Sequence, residues 1–410
     1  MSFSALWGSL LPVGRDDGTG GYRRFSWTLA DAACRSWFIE EAAVRSLRTY
    51  TDRNGNLWGW WESEGTDGAA GARGAIVTGS HLDSVPDGGA YDGPLGIVSA
   101  FAAIDMLREQ GCRPARPVAV AAFTEEEGAR FGVACLGSRL LTGLTDPAKA
   151  QALTDRGGKT LAAAMAAAGY DPAGIGPDES LLAGIDAYVE LHIEQGRALA
   201  DLGAAVGLAS GIWPHGRWRL TFTGRADHAG TTRLADRHDP MLPAAAVVLA
   251  AREAAAEHGG LATVGRLTAE PGGANAICSR VTAWLDARAP DEPRLQAVVD
   301  QVLAAAGAAA AAHAVDLDVR QESVTPAVEF DATLRDRLAG ALAARGISAP
   351  VLATGAGHDA GVLSARVPAA MLFVRNPSGV SHSPAEHAEE ADCLAGVAAL
   401  AAVLEDLACR

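Results

Sequence analysis

Along roughly the first half of the chain, short apolar runs alternate with longer stretches of helical periodicity. Residues 25–49 read as a helix with Asp31 near its start, and residues 96–107 as an apolar helix. Residues 75–78, 117–123 and 188–191 are short apolar runs of the kind that form buried strands. Such strands alternating with helices predict an α/β fold whose mixed, mostly parallel sheet is flanked by helices. In sheets of this kind, functional groups collect beyond the carboxyl ends of the strands.

The middle of the chain has a different pattern. Residues 218–222 alternate like a half-exposed strand at a sheet edge, and residues 240–256 form an alanine-rich helix. Residues 281–287 alternate again and precede a helix over 293–314. Over 315–319, Val315, Leu317 and Val319 share one face while Asp316 and Asp318 share the other. These elements predict an inserted α+β lid and dimerisation domain over 209–325 with one open sheet face. The first pattern then resumes with a helix over 331–345 and a strand over 370–374. Residues 1–208 and 326–410 are thus expected to form one discontinuous catalytic, metal-binding domain.

Composition narrows the functional classes. A chain of 410 residues suits two cores, and its 49% hydrophobic and 20% charged content fits an ordered globular protein. The formal net charge of −15 argues against nucleic acid or an anionic membrane as partner. A small anionic substrate stays open, because one or two local arginines can outweigh the global sign. The six cysteines are scattered without a CxxC pair, which predicts free, mostly buried thiols and a reducing compartment. The opening MSFSALWGSL lacks a basic n-region, and no apolar run approaches the ~18 residues that span a bilayer. The expected location is therefore the cytoplasm.

The chemistry-bearing residues follow the predicted strands. GSHLDSVPDGGAYDG at 79–93 offers His81 and Asp83 after a strand and Asp92 after a glycine-rich turn. His and Asp converging through a flexible loop suit a hard or borderline metal. Asp83 is placed to accept from the second nitrogen of His81 and fix its tautomer. FTEEEGARF at 123–131 sets three carboxylates side by side after a strand. Their mutual repulsion calls for nearby positive charge. Separate roles for two of them require a turn, which Gly128 permits. HIEQG at 192–196, DHAGTT at 227–232, GAGHDA at 355–360 and GVSHSPAE at 379–386 add further candidates, each weak alone. Together they bring His, Asp and Glu from four strand ends of one predicted domain.

This ordered set of motifs, from about Gly20 to near the carboxyl terminus, resembles the carbamoylase and allantoate amidohydrolase branch of the two-metal aminoacylase/carboxypeptidase superfamily. The resemblance implies hydrolysis of a carbamoyl (ureido) C–N bond on a small carboxylate-bearing substrate. It implies two divalent metal ions per subunit, of a kind (Zn, Mn, Co or Ni) that His and carboxylate ligands do not specify. His81, Asp92, Glu127, His192 and His382 would be the ligands, with Asp92 bridging. Glu126 would be the general base and Asp83 the partner of His81. His228 would stabilise the developing oxyanion, commonly across a homodimer formed by the inserted domain. Gln195, Asn275, Arg288 and Gly357 would bind substrate, Arg288 through its carboxylate, with His358 close by. The chain departs from the usual pattern at Asp227, at Arg233-Leu234 and at Cys278-Ser279, none of them a ligand. These departures bear on substrate identity and leave the reaction type intact.

Overall fold

Val118–Phe123 and Ala369–Val374 bury every side chain they carry, because both lie in the interior of a sheet covered on its two faces. The computed structural model describes residues 2–62 and 73–409. Its chain divides into two compact units, Met1–Gly211 with Glu329–Arg410, and Ile212–Val328. The first segment carries strands β1 (Arg48–Thr51), β2 (Leu57–Trp61), β3 (Ala75–His81), β4 (Val118–Phe123), β5 (Ile185–Ile193) and β6 (Val206–Ile212). Next come β7 (His215–Thr223), β8 (Asp227–His228), β9 (Leu261–Glu270), β10 (Ala276–Ile277), β11 (Arg280–Arg288) and β12 (Asp316–Thr325). The chain closes with β13 (Val328–Glu329), β14 (Val351–Thr354) and β15 (Ala369–Val374).

The large sheet runs β1-β2-β4-β3-β5-β15-β6-β13, with β14 paired to β6. Its centre, β4-β3-β5-β15, is parallel. β2 and β6 join this centre antiparallel. The sheet is thus mixed and mostly parallel at its core, as the alternation of strand and helix predicted. Helices Pro94–Glu109 and Glu390–Ala408 pack on each other and on the sheet, and share one apolar core with Phe38, Leu6 and Leu338. Gly96 is what lets the first of these helices approach. A Cβ there would lie 2.3 Å from the Leu191 carbonyl oxygen and 2.8 Å from the Ser80 Cβ.

In the second unit, β12-β7-β11-β9 form an antiparallel sheet. Helices Met241–His258 and Glu292–Ala312 pack on it through a core that includes Leu220, Phe222, Val281 and Leu285.

Four expectations need correction. The helix expected over 25–49 ends earlier: Leu29–Val44 is helical, and β1 begins at Arg48. Thr28 caps it by accepting from the Asp31 N–H, while the Asp31 carboxylate pairs with Arg35. Trp218 is buried on β7, between β12 and β11, so it lies on an interior strand rather than an edge. The edges are β9 and β12, the latter extending through the polar stretch to Thr325. Cys112 and Cys409 form a disulfide, and the other four cysteines are free and buried. Each of the pair follows the end of one of two packed helices, which brings their Cα atoms to 6.2 Å across 297 residues of sequence. That adjacency is invisible in cysteine spacing, and it removes the argument from free thiols to a reducing compartment. Finally, Glu292–Ala312 is long and apolar enough to cross a membrane by length and composition, through its alanines. Here its Leu295, Val298 and Val302 face the core of the second unit.

The close approach at Gly96 generates a prediction. Gly96→Ala should lower the melting temperature by several degrees, about 1–3 kcal/mol of overpacking, because the new methyl meets backbone rather than a yielding side chain. Differential scanning calorimetry checks this; an unchanged melting temperature would show that the helix can shift without loss.

Candidate active site

Four strand ends and one helix start converge in the first unit. His81 closes β3, His192 lies near the end of β5, Glu126 and Glu127 follow β4, and His382 lies in the loop after β15. Asp92 precedes helix Pro94–Glu109, set by Gly93 at a φ of 83°. A side chain at Gly93 would strike the His81 ring at 2.4 Å. One oxygen of Asp92 lies 3.4 Å from His81 Nε2 and 3.2 Å from His192 Nε2. The other lies 3.4 Å from His382 Nε2, which is 3.6 Å from Glu127 Oε2. Two donor sets, His81–Asp92–His192 and Asp92–Glu127–His382, therefore share one carboxylate.

The histidines are prepared as ligands. His81 Nδ1 donates to the Asp83 carbonyl at 3.1 Å, and His192 Nδ1 to the Ile193 carbonyl at 2.9 Å. This leaves both Nε2 atoms as lone-pair donors, and both are buried without a hydrogen-bond partner. Divalent ions fit this donor set of imidazoles and carboxylates.

The electrostatics agree. Burial opposes the ionisation of Asp92, yet the three imidazoles that face it, those of His192, His382 and His81, hold it well below the usual carboxylate range. Burial and the neighbouring Asp92 push Glu127 up to about 8. Burial raises Glu126 well above its ordinary value; His81 opposes this, while Asp359, Glu127 and Asp83 add to it. His382 rises to about 9 through its bond to Asp92. Carboxylates and imidazoles that bind protons this tightly are sites where a cation would displace them.

The run of three carboxylates resolves into three environments. The turn comes at Glu125 itself, with φ at 56°, as well as at Gly128 with φ at 60°. Glu125 turns inward and accepts from the Arg130 and Phe131 N–H groups. Glu126 Oε2 faces His81 Nε2 at 3.6 Å, and its Oε1 accepts from the Cys135 thiol at 3.2 Å. Glu127 joins Asp92 and His382. Asp83 faces His81 twice: its Oδ1 is 3.5 Å from His81 Nδ1, and its main-chain oxygen takes the shorter contact at 3.1 Å. The Asp83 carboxylate also accepts from the N–H groups of Glu126 and Glu127, both at 3.1 Å. It fixes the turn that aims those two side chains.

Gln195 donates to Asp92 at 2.8 Å and lies 3.3 Å from His382. The buried His358 ring packs on His192 with centroids 4.5 Å apart, and Gly357 beside it is exposed. The other three candidates belong to the second unit. There the short β8–β10 ladder pairs His228 with Ala276, next to Asn275, whose carbonyl accepts from Ala229. The Asp227 carboxylate accepts from the main-chain N–H of His228. Arg288 forks onto Asp286 at 2.9 and 3.4 Å.

Sequence reasoning passed over Glu386. This buried side chain accepts from the N–H groups of Tyr91 and Asp92 through one oxygen and from Ser381 through the other. It ties the Asp92 loop to the His382 loop across 294 residues, and only its place in the GVSHSPAE motif hinted at a role. Glu386→Ala should therefore reduce divalent-ion retention about 10–100-fold, the usual effect of removing a group that orients ligands. Ion content after dialysis, read by mass spectrometry, tests this; full occupancy would limit Glu386 to packing.

The sequence matches the peptidase family M20/M25/M40 over residues 77–406. A relative from Geobacillus stearothermophilus, named N-carbamoyl-L-amino acid amidohydrolase, is 36% identical over 406 residues and covers 96% of both chains. An allantoate amidohydrolase from Escherichia coli strain K12 is 32% identical over 401 residues, covering 96% of this chain and 94% of its own. The solved structure of a hydantoinase/carbamoylase family amidase from Burkholderia vietnamiensis is similar with a TM-score of 0.88 at 31% identity. It covers 100% of this chain and 98% of its own. With these likenesses spanning both units, the chain belongs to the M20/M25/M40 peptidase family, in its carbamoylase-type amidohydrolase branch, whose reaction is hydrolysis of non-peptide C–N bonds.

Proposed function

We propose that this chain hydrolyses the carbamoyl (ureido) C–N bond of an N-carbamoyl-amino acid or related ureido acid, with Glu126 as general base. The observation that carries the reading is Asp92, shared by two buried donor sets with the Glu126 carboxylate alongside. His81, Asp92 and His192 would hold one divalent ion, and Asp92, Glu127 and His382 a second. Such ions, when bound, polarise a carbonyl and acidify water, which a weakly electrophilic urea carbonyl needs.

The protein's own groups do the rest. Glu126 takes a proton from the attacking water and returns it to the leaving nitrogen. The products are ammonia, carbon dioxide and the free amino acid, or a ureidoglycine-like fragment if the substrate is allantoate. Arg288 would exchange Asp286 for a substrate carboxylate, to which its planar fork is matched. His228, Asn275, Gln195 and Gly357 would orient the ureido acid, with His228 facing the developing oxyanion and His358 supporting from behind His192. The reading includes a homodimer, for which the exposed Leu242, Val248 and Leu249 of helix Met241–His258 offer an apolar face. The allantoate amidohydrolase from Escherichia coli, at 32% identity, favours allantoate as the second reading.

The manganese-reconstituted enzyme should release ammonia from one group among N-carbamoyl-L-amino acids, β-ureidopropionate and allantoate, and a chelator should abolish this. Free amine from N-acetyl amino acids without ammonia would place the chain among aminoacylases. Glu126→Gln should keep its ions and lose about 10²–10⁴-fold in kcat; an unchanged kcat would remove Glu126 as the base. Arg288→Ala should raise KM for carboxylate substrates while sparing those that lack the group, and equal losses on both would end that assignment.

A further inference from the structure

The Glu126 carboxylate is aimed by very little. Among the described residues its one hydrogen-bond donor is the Cys135 thiol, 3.2 Å from Oε1. We infer that Cys135 is a positioning residue for Glu126: its S–H holds Oε1 against the wall of the site and leaves Oε2 turned toward His81, where a proton would be collected. The inference rests on the reading of Glu126 as general base.

Cys135 occupies a place built for such contact. It is 4% exposed and has a left-handed φ of 54° immediately before helix Leu136–Thr142. From there three consecutive N–H groups grip the carboxylate-bearing turn: Cys135 donates to the Glu126 carbonyl at 2.6 Å, Leu136 to Glu125 at 3.1 Å, and Gly137 to Thr124 at 2.9 Å. This ladder fixes the Cys135 Cα opposite Glu126 by main chain alone, so a change of side chain there alters the Sγ contact and leaves the ladder standing. Left-handed backbone is strained for a residue with a side chain, and such strain is maintained where surrounding structure over-determines it. Beyond Gly137, Ser138 donates to the buried Asp359, whose neighbour His358 packs on His192, so the same short helix is also anchored behind the histidine ligands.

A thiol is a weak donor, and the expected effect is correspondingly modest. In the ion-loaded enzyme, Cys135→Ala should lower kcat about three- to tenfold on the best ureido substrate, with KM and bound-ion content unchanged. Cys135→Ser, which restores a donor, should recover to within about twofold of the parent. In a Glu126→Gln background the Cys135→Ala change should cost nothing further, since residues that act through one another are not additive. Equal impairment of the Ser and Ala variants, a parental kcat in the Ala variant, or full additivity with Glu126→Gln would each overturn the inference. Loss of ions in step with kcat would do the same, by moving the effect to the ligands. Glu126→Gln alone retaining turnover would instead overturn the base assignment, a result read before any Cys135 variant is compared.

Discussion

The mutual repulsion of buried carboxylates is the constraint on which the rest of this structure depends. Asp83, Asp92, Glu125, Glu126, Glu190, Asp359 and Glu386 are all buried, and their charges act on one another in the first unit. No fold tolerates such a set without a use for it, because each desolvated charge is unfavourable unless paired or hydrogen-bonded. The answers divide by position. Asp83, Glu125 and Glu386 spend their oxygens on main-chain N–H groups, and so act as braces. Asp92 and Glu127 turn theirs toward histidines, which leaves a concentrated demand for positive charge at one point. Glu126 is neither braced by main chain at its carboxylate nor paired closely: the Cys135 thiol meets one oxygen and His81 lies 3.6 Å from the other.

The parallel centre of the sheet explains why the demand falls where it does. Adjacent parallel strands place their carboxyl ends side by side, so β3, β4, β5 and β15 deliver residues from four distant segments to one rim. Backbone on that rim is bent rather than regular: Glu125, Cys135 and His382 all have φ between 54° and 56°. The strain is carried by main-chain ladders such as the one from residues 135–137 to residues 124–126, which do not depend on side-chain chemistry.

Much of this was legible in sequence. Apolar runs marked the central strands, and glycine-flanked His and Asp clusters after them marked the rim. The signals that failed share a physical cause. Periodicity reports which side of a regular element faces the core, and it is silent where the chain turns sharply. Hence Glu125 was indistinguishable from its two neighbours, and the two N–H groups that the Asp83 carboxylate serves, besides facing His81, went unseen. Edge strands were also hard to see: β9 and β12 expose most of their residues and carry polar side chains. Contacts across long sequence separation, such as Cys112 with Cys409 or Glu386 with Asp92, leave no local trace at all.

The same reasoning explains why reaction type is easier to read than substrate. His81 and His192 are 1% exposed on strand ends, so their geometry is fixed by a core that tolerates little change. His228 and Asn275 are exposed around a ladder of only two residue pairs, and Arg288 is engaged by Asp286. The departures there are met locally: Asp227 accepts from the His228 N–H and lies 3.6 Å from Arg225, and Arg233 pairs with the nearby Asp236. A loop free to vary in this way leaves the buried His81–Asp92–His192 cluster untouched, so the motifs of the first unit report family and C–N hydrolysis without reporting the substrate.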